Sequence, residues 1–573
     1  MSFNKYISLA VLGLVLASCS FLDENIRSSS QKDKYYKTED QILSGLGGCY
    51  MPLRNIYDNS AYFVITECQT DLIYESGTGV NATFEGLGPT NPSTATSLWT
   101  NGYLGVMRCN AIIAAIERSA LTLQQKTPLI AEAVILRAFF YYILTCNFGD
   151  VPYYTEEVTD ENNSRITHLG RMPASDTRNA CIDEIYDWVI NKGALPLVGT
   201  YDTNNEDQFR IGAAVGLMLA GKMCLWEERW ADAIEIFGYI EQMYGNKEAG
   251  NPAGALDSYP LSDIPFYNKY VPESIFEIPN IYLDYGLRIT SSLAANCTPQ
   301  RMAQATDEDD LLGDDYSDLE DGTGYVEGNN TDYYNGVAIP WLGGNSRTTS
   351  PARPCKRFYQ VLMPATSAYN DLRRAVYNPG DGKEIPGGGG YLAWGWQGWT
   401  PEENRNTTPA HWVFFTSTSN ANGRPFLGNK FWCPGMQYNM DSNNYKVFRF
   451  AGVLLNLAEA HLRRGNEEMA CAYLNSVKSR AGIQLVHPED FADTEALMEE
   501  IRNECARELF GEFHRKHDLV RWGVWFDYIQ QYSDKSGLKK YARPCHRYYP
   551  IPEQEIIYSG GNLDNKEYNQ YGL

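Results

Sequence analysis

The sequence predicts a mainly α-helical protein, in which a scaffold of paired helices is interrupted by a large, irregular inserted lobe that contains short strands. Three observations lead to this prediction. Apolar side chains recur every three to four positions through much of residues 97–244, which is typical of amphipathic helices. The same pattern returns from about Tyr445 to Tyr532. Residues 251–444, between the two, are rich in Gly, Pro, Asn, Asp, Tyr and Trp, and a compact domain rarely leaves so long a stretch without structure.

Three segments of the first half are predicted helices. Residues 97–119 and 180–192 carry their apolar positions on one helical face. Residues 128–154 are the third segment. We expect this helix to begin at Pro128, because proline suits the first helical turn, and to end near Gly149 and Pro152.

Two segments match the tetratricopeptide (TPR) pattern, in which small residues lie where two paired helices cross closely. In each segment a small residue is followed twelve positions later by alanine, and four positions after that by a large apolar residue. Because the lobe separates the two copies, they do not form a simple tandem array. The matching residues are Gly221, Ala233 and Phe237 in the first segment, and Ala458, Ala470 and Leu474 in the second.

The N-terminus has the features of a bacterial lipoprotein signal. Lys5 is followed by an apolar stretch, residues 7–17, that is too short to span a bilayer. It ends in Leu-Ala-Ser-Cys at residues 16–19, which resembles the lipobox whose cysteine receives the lipid. We therefore expect a signal peptide over residues 1–18, a lipidated Cys19 and a polar tether over residues 19–31. Several acyl chains anchor a protein stably, and no later segment is predicted to cross the membrane.

Composition argues against several classes of function. The net charge is −23 without a long basic run, whereas nucleic-acid binding needs a footprint of Lys and Arg. The cysteines that follow Cys19 form no CxxC pair, so neither a zinc ribbon nor a redox motif is indicated. Several lie in apolar helical segments and are interpreted as small buried hydrophobes, although an exported protein can also form disulfides. These are Cys146, Cys181, Cys224 and Cys471.

The densest motif lies in residues 501–523. Glutamate, arginine and aspartate recur there at helical spacing and form a charged stripe. We interpret the stripe as an ion-pair network that joins two helices, with a carboxylate ligand site as the alternative. The charged positions are Glu508, Glu512, Arg515, Asp518 and Arg521.

Two features raise the question of a metal site. His514 and His517 lie three residues apart, but no third ligand accompanies them and Lys516 disfavours a cation, so we expect both at the surface. Residues 306–322 contain nine acidic residues, an oxygen density that Ca²⁺ can use, but they lack the spacing of an EF-hand. We expect an exposed acidic loop without a bound metal.

Together these segments resemble the SusD/RagB family of outer-membrane lipoproteins of Bacteroidetes. The late helix of that family reads approximately E-R-x-x-E-L-x-x-E-G-x-R-x-x-D-L-x-R-W-G. Residues 504–523 follow it, except that Cys505 and Phe513 replace the usual arginine and glycine. Residues 97–110 and 131–154 match two earlier blocks. Shorter matches at residues 369–377 and 548–556, with the lipobox, extend the resemblance over the whole chain.

The resemblance implies a TPR-like superhelix of four helix pairs, with the scaffold over residues 32–250 and 445–573 and the ligand-binding lobe over residues 251–444. It implies a cell-surface lipoprotein that captures a nutrient, usually a glycan, and closes over a SusC-like TonB-dependent outer-membrane transporter, without catalysis or a cofactor. The acidic pair at residues 23–24 resembles the signal that directs such lipoproteins to the cell surface. Because the matching blocks belong to the scaffold, Trp99 is expected in the core rather than against a sugar.

Aromatic residues outside these blocks are the candidate ligand contacts, because the C–H faces of sugars stack on aromatic rings. Residues 387–400, GGGGYLAWGWQGWT, place three tryptophans directly after four glycines. They form a stacking platform or, alternatively, anchor the loop to the scaffold. A second wall is expected within residues 66–86, where Asp71 contacts the ligand or caps local backbone. The candidate contacts are Trp394, Trp396, Trp399, Trp341, Tyr285, Tyr282, Tyr74 and Asp71.

Three other functions remain open from the sequence alone. The first is peptide capture by a member of the same family. The second is a surface glycoside hydrolase, which needs two opposed carboxylates at a catalytic separation. The chain has 71 acidic residues, so their number alone does not exclude such a pair. The third is a TPR adaptor that binds its partner in a concave helical groove. The aromatic residues of the lobe favour ligand capture over an adaptor.

Overall fold

The structure is a computed structural model that describes residues 36–58, 60–195, 210–245, 250–282, 288–297, 351–363, 371–373, 429–431, 433 and 440–573, with five short strands between residues 376 and 425. Within these ranges the chain is mainly helical with few short strands, which confirms the predicted fold class. The α-helices are α1 (Glu39–Asp58), α2 (Ser60–Phe63), α3 (Val80–Thr83), α4 (Ala95–Arg118), α5 (Leu123–Phe148), α6 (Asn163–Thr167), α7 (Ala174–Tyr186), α8 (Ala213–Trp226), α9 (Trp230–Tyr244), α10 (Leu293–Cys297), α11 (Phe450–Arg463), α12 (Glu467–Arg480), α13 (Thr494–Glu508), α14 (Arg515–Arg521), α15 (Trp525–Tyr532), α16 (Ser536–Tyr541), α17 (Glu553–Tyr558) and α18 (Lys566–Asn569).

The strands are short, and each described pairing is antiparallel. β1 pairs with β5, β2 with β11, β3 with β4 and β6 with β7, while β8 lies between β10 and β9 in a three-stranded sheet. The strands are β1 (Ile73–Glu75), β2 (Ser274–Ile278), β3 (Ile281–Tyr282), β4 (Arg288–Ile289), β5 (Ala352–Pro354), β6 (Val376–Tyr377), β7 (Glu384–Ile385), β8 (Gly395–Gln397), β9 (Val413–Phe414), β10 (Arg424–Pro425) and β11 (Tyr445–Arg449). Short π-helical turns span Val64–Cys68, Asp187–Asn191 and Arg357–Leu362, and 3₁₀ turns span Leu261–Asp263, Asn429–Phe431, Pro488–Asp490 and Pro544–Arg547.

The central helix α5 begins earlier than its proline predicts. The Thr122 hydroxyl accepts the Gln125 backbone N–H at 3.4 Å, and the Gln125 side chain accepts the Thr122 N–H at 3.1 Å, which forms a capping box. Pro128 therefore lies inside the helix, and the prediction that it starts the helix is wrong. The helix ends as predicted before Gly149, whose φ of 70° favours glycine. Helix α7 also begins earlier than predicted, at Ala174, and continues into the π-helical turn Asp187–Asn191.

Helix α5 is apolar on every side because it occupies the core. Every residue from Leu129 to Phe148 is buried. It is the one helix of the described ranges with the length and hydropathy of a membrane span, and its apolar window is fully enclosed by the protein. Trp99 of α4 is buried against it, with ring centroids 5.0 Å from Phe148, so the expectation that this tryptophan is a core residue is confirmed.

Small residues allow the scaffold helices to pair closely. A Cβ atom built on Gly221 of α8 would lie 2.5 Å from the Phe237 ring of α9, so the twelve-plus-four spacing of the TPR pattern marks a real contact. In the second pair, α11 and α12, Ala458, Ala470 and Leu474 are all fully buried. The helix pairs predicted from the two segments are therefore confirmed.

The two pairs are direct neighbours in space although the lobe separates them in sequence. Helix α9 packs against α11. The Tyr244 and Phe450 rings stack with centroids 5.8 Å apart, and the Tyr473 hydroxyl donates to the Glu241 carboxylate at 2.8 Å. The chain thus leaves the helical scaffold after α9 and returns to it at α11, which packs directly against α9.

A two-stranded ribbon, β2 with β11, closes the base of the lobe. Lys446 on β11 contacts the Glu277 carboxylate of β2 at 3.1 Å, and the Asn280 N–H donates to the Asn444 side chain at 3.0 Å. The expectation that helix resumes at about Tyr445 is wrong by five residues, because all five residues of β11 are buried in the ribbon and helix α11 begins at Phe450. The boundaries of the lobe itself stay a prediction.

Candidate functional site

The charged stripe of the densest motif is a buried ion-pair cluster. The Glu508 carboxylate has no exposed surface. It accepts from the guanidinium groups of Arg449 and Arg480, each at 2.6 Å, and of Arg373 at 2.8 Å. Burial alone raises the pKa of such a carboxyl, but these three cations reverse the effect and hold the pKa of Glu508 well below its usual range. The interpretation of the stripe as a structural network is confirmed.

The cluster joins the C-terminal helices to the lobe, which goes beyond the predicted contact between two helices. Lys430 lies between β10 and β11 and contacts the Glu512 carboxylate at 2.6 Å. Arg373, also from the lobe, contacts Glu504 at 2.7 Å. Despite burial, these cations and their neighbours lower the pKa of Glu504 and of Glu512 to about 2. The carboxylates are therefore charged, paired and enclosed, and they leave no surface for a ligand.

The stripe does not lie on one helix, because the chain turns sharply between α13 and α14. Gly511 has a φ of 74°, and a Cβ atom at this position would lie 2.3 Å from the Phe431 ring. Phe513 also has a positive φ, 67°, a conformation that favours glycine. This is the position where the family pattern has its usual glycine. The phenylalanine ring is held there by Tyr57 and Phe63, at centroid distances of 5.1 and 5.8 Å.

The same turn buries the two histidines, so the prediction that they lie at the surface is wrong. His514 stacks on the Phe448 ring at 5.8 Å, and both histidines are less than one-tenth exposed. Burial lowers the pKa of His514 to about 4 and that of His517 to about 3. Within the described ranges, no group of three or more His, Cys, Asp or Glu side chains is arranged to hold a metal ion. The acidic segment 306–322 lies outside those ranges.

Asp71 belongs to the scaffold and not to the ligand wall. Its carboxylate is fully buried; it accepts from Arg515 at 2.9 and 2.7 Å and from Arg357 at 2.6 Å. Burial works to raise the pKa of Asp71, and the two guanidinium groups lower it below its usual value. Because both oxygens are enclosed and paired, the prediction that Asp71 contacts a ligand is dropped.

Tyr74, by contrast, lies half-buried on the β1–β5 ribbon. Its direct cross-strand partner is Arg353, which is also half-buried and shares a side-chain hydrogen bond with the Tyr74 hydroxyl. The strand neighbour Ile73 is buried, and so is its cross-strand partner Pro354, so the ribbon has one side in the protein and one side toward solvent. An aromatic ring and a guanidinium group thus stand side by side, as in sites that stack a sugar face and donate to its hydroxyl groups.

The ribbon is held rigidly at both ends. The Ser76 N–H donates to the Pro351 carbonyl at 2.8 Å, and the Cys355 N–H donates to the Leu72 carbonyl at 2.7 Å. The Lys535 ammonium group donates to the carbonyl oxygens of Ser76, at 3.0 Å, and Gly77, at 2.5 Å. Tyr74 is therefore presented on fixed backbone, which suits a recognition surface.

Sequence reasoning missed Arg353. It lies in the segment PARPC, which has no periodic pattern and follows the acidic stretch by thirty residues. Only the pairing of β1 with β5 brings it next to Tyr74, and strand pairing across nearly three hundred residues has no local signal.

Two other candidate contacts lie on described strands. Trp396 occupies β8, the central strand of the three-stranded sheet, opposite Val413 of β9 and Pro425 of β10. Tyr282 ends β3, opposite Arg288 of β4. The remaining predicted positions lie outside the described residues; these are Trp394, Trp399, Trp341, Tyr285 and the predicted lipidation site, Cys19.

Comparison with known proteins puts this fold in a class of non-catalytic binding proteins associated with the outer membrane. The chain belongs to the SusD/RagB family. The model of the SusD family matches residues 356–568, and a second SusD-like model, described as starch-binding and associating with the outer membrane, matches residues 20–196.

Full-length comparisons agree with this assignment. A SusD-like protein of Formosa agariphila is 22% identical over 583 residues, which cover 96% of this chain and 97% of the relative. Surface glycan-binding protein A from Bacteroides thetaiotaomicron superposes with a TM-score of 0.62 at 19% identity, covering 92% of this chain and 99% of that one. A SusD-like protein from Bacteroides fragilis gives a TM-score of 0.65 at 17% identity, covering 93% and 97%. At these identities the solved structures establish a common fold.

Proposed function

We propose that this protein captures a glycan at the cell surface and delivers it to a SusC-like TonB-dependent transporter in the outer membrane. The observation that carries the proposal is the full-length fold match to surface glycan-binding protein A from Bacteroides thetaiotaomicron, which has also been solved in complex with laminarihexaose. A solved laminarin-binding SusD-like protein matches the fold equally well, with a TM-score of 0.64. The family relationship supports binding as the activity, and the choice of glycan is the proposed step.

Tyr74 and Arg353 form one wall of the proposed binding site. The other wall consists of the aromatic residues of the lobe, with Trp396 as the first candidate because its strand is paired on both sides. Glycoside hydrolysis is disfavoured because the carboxylates of the densest motif are enclosed and neutralised by cations. A hydrolase needs an accessible acid and an accessible carboxylate on opposite sides of the bond that breaks.

Calorimetric titration tests the ligand class. Purified protein without its lipid is titrated with laminarin oligosaccharides, with starch oligosaccharides and with a peptide mixture of similar molecular mass. Glycan binding without release of reducing ends supports the proposal. Binding of peptides alone indicates the peptide-capturing alternative, and new reducing ends indicate a hydrolase.

Single substitutions then locate the site. Trp396→Ala is expected to lose roughly 2 kcal/mol or more of binding free energy while its melting temperature stays near that of the wild type. Tyr558→Ala is a matched control, because Tyr558 is 61% exposed on scaffold helix α17. Early melting of Trp396→Ala with unchanged affinity indicates a loop anchor instead, and the search then moves to Tyr74, Tyr285 and Trp341.

The proposed anchor is a lipid on Cys19. Cys19→Ala is expected to leave the protein outside the membrane fraction, since several acyl chains are needed for stable anchoring. A variant that sediments with membranes like the wild type contradicts the lipid attachment.

The proposed partner is tested in the same membranes. Affinity purification of the tagged, lipid-anchored protein from detergent-solubilised outer membranes is expected to recover a TonB-dependent transporter in equal amount. Recovery of the protein alone, under conditions that preserve other outer-membrane complexes, contradicts the partnership.

A further inference from the structure

Helices α1 and α4 approach each other unusually closely. Gly45 of α1 faces α4, and a Cβ atom built there would lie 2.7 Å from the Ile112 side chain. The Arg108 guanidinium of α4 donates to the Gly48 carbonyl of α1 at 2.8 Å. Farther along the pair, the Asn55 and Asn101 side chains are hydrogen-bonded at 3.2 Å. These contacts fix an antiparallel register, in which the next facing positions are one helical turn after Gly45 on α1 and one turn before Ile112 on α4, that is residues 49 and 109.

Those two residues are cysteines. Cys49 and Cys109 have no exposed surface, and their thiols are hydrogen-bonded to each other. The Cys49 thiol also lies 3.7 Å from the Gly45 carbonyl, one turn earlier on its own helix. A disulfide needs two Cα atoms within about 7 Å of each other, and the close approach of α1 and α4 at Gly45 allows facing residues to come that near.

We propose that Cys49 and Cys109 form a disulfide bond in the exported protein. Association with the outer membrane places the mature chain outside the reducing cytosol. Disulfides form and persist in such exported proteins. The inference goes beyond glycan capture and depends only on export of the chain.

The oxidant is the disulfide of an envelope thiol–disulfide oxidoreductase. One cysteine of the chain, as thiolate, attacks that disulfide, forms a mixed disulfide and releases one oxidoreductase thiol. The second cysteine attacks the mixed disulfide, so the Cys49–Cys109 bond forms and the other oxidoreductase thiol leaves. The two cysteines lose two electrons and two protons, and the oxidoreductase is reduced to its dithiol. Because both thiols are enclosed in the folded protein, the exchange takes place before the helices close.

The bond constrains the wall of the proposed glycan site. The loop that it closes, residues 49–109, contains the whole of β1 with Tyr74. It also links the first described helix, which follows the tether, to the helix that packs on the central helix α5. When the chain is pulled at its proposed lipid anchor, the disulfide transmits the force from α1 to α4, in addition to the packing of the two helices.

Peptide mapping of the exported protein tests the bond directly. The full chain is recovered from outer membranes, denatured with an alkylating agent present and digested with trypsin without reduction. Trypsin cleavage after Lys37, Arg54, Arg108 and Arg118 yields the peptides 38–54 and 109–118, each with one cysteine. The expected product is the two peptides joined, lighter by two hydrogens than their sum. Alkylated Cys49 and Cys109 in separate peptides, or a link to another cysteine, overturn the proposal.

Thermal melting provides a second test. Cys49→Ala, Cys109→Ala and the double variant are each expected to melt several degrees below the oxidised wild type and by similar amounts, because all three lack the same bond. Cys471→Ala, at another buried free cysteine, is the control for lost packing. Single-variant shifts that simply add in the double variant contradict a shared bond.

Discussion

The buried charged cluster around Glu508 and the ribbon around Tyr74 use the same kinds of side chain in opposite ways. In the cluster, every named carboxylate is enclosed and bonded to arginine or lysine. On the ribbon, one tyrosine and one arginine are only half-buried, and their backbone is hydrogen-bonded at both ends. The cluster connects the lobe to the superhelix. The ribbon leaves a tyrosine ring and a guanidinium group partly accessible to solvent.

The difference explains why the recognisable motif carries no ligand. A buried ion pair tolerates few substitutions, because removal of one partner leaves an uncompensated charge in the interior. A half-buried aromatic residue has no comparable constraint from folding. The late family motif of this chain therefore contains residues that hold the lobe in place, whereas the residues of the proposed glycan site have a weaker constraint from folding.

Acid should break the cluster before it affects the ribbon. In the folded state Glu504 and Glu512 have a pKa of about 2, against 4.5 ordinarily, so their stabilisation is present above pH 4.5 and is lost as pH falls toward 2. Each contributes about 3 kcal/mol at most. The lowered pKa values of His514 and His517 act in the same direction from pH 6.5 downward, because the unfolded state takes up their protons first.

Other buried carboxyl groups, among them Glu67 and Asp441, act in the opposite direction because burial raises their pKa. Burial raises the pKa of Glu67 to about 8, so its contribution to stability grows as pH falls from 8 to 4.5 and is constant below. The steepest loss of stability is therefore expected below pH 4.5. Urea midpoints measured from pH 8 to 3 at constant ionic strength check this profile. A midpoint that stays level down to pH 3 contradicts the charged cluster.

Glu508→Gln should be the most damaging single substitution in the cluster. The amide leaves three guanidinium groups short of one negative charge in the interior, and we expect a loss of about 3–5 kcal/mol of unfolding free energy. The control is Glu495→Gln on the same helix. Glu495 is 62% exposed and pairs with Arg502, so its loss should cost less than about 1 kcal/mol. Equal effects of the two variants in urea unfolding indicate that burial does not set the difference.

Phe513→Gly tests whether packing or backbone strain dominates at the turn. Glycine relieves the positive φ, a gain of about 1 kcal/mol. It also removes a ring that is 2% exposed and contacts four other aromatic rings, a loss of about 3–5 kcal/mol. We expect a net loss of about 2–4 kcal/mol in urea unfolding, although glycine is the usual family residue here. A stabilised variant means that strain outweighs packing.

The helical scaffold was predictable because its signals are local. Apolar periodicity located α4, α5 and α7, and the small residues Gly221 and Ala458 located two helix pairs. Errors arose where local rules competed. Pro128 fits a helix start, but the capping box at Thr122 begins the helix a turn and a half earlier. His514 and His517 resemble surface residues only if Glu508 to Arg521 is one helix, and the turn at Gly511 breaks it.

The candidate site was less predictable because its contacts are distant in sequence. Asp71 lies three residues from Tyr74, and no pattern tells which of the two faces solvent. The structure separates them, since Asp71 meets Arg515 and Arg357 from distant segments, while Tyr74 meets Arg353 at the surface. Such pairings depend on the tertiary arrangement, which composition and spacing do not encode locally.

Tyr74→Ala should have the smallest effect on stability and a clear effect on binding. Tyr74 is half-buried, so its truncation should cost about 1–2 kcal/mol of unfolding free energy, less than Phe513→Gly. If its ring stacks on a sugar, affinity for the glycan should fall about tenfold or more. Tyr74→Phe keeps the ring and removes only the hydroxyl contact with Arg353, so it should retain most of the affinity. Titration and thermal melting of both variants, with Tyr558→Ala as the surface control, decide the point. A Tyr74→Ala protein that melts as early as Phe513→Gly and binds the glycan like the wild type places Tyr74 with the scaffold, and the ribbon then has the same structural role as the cluster.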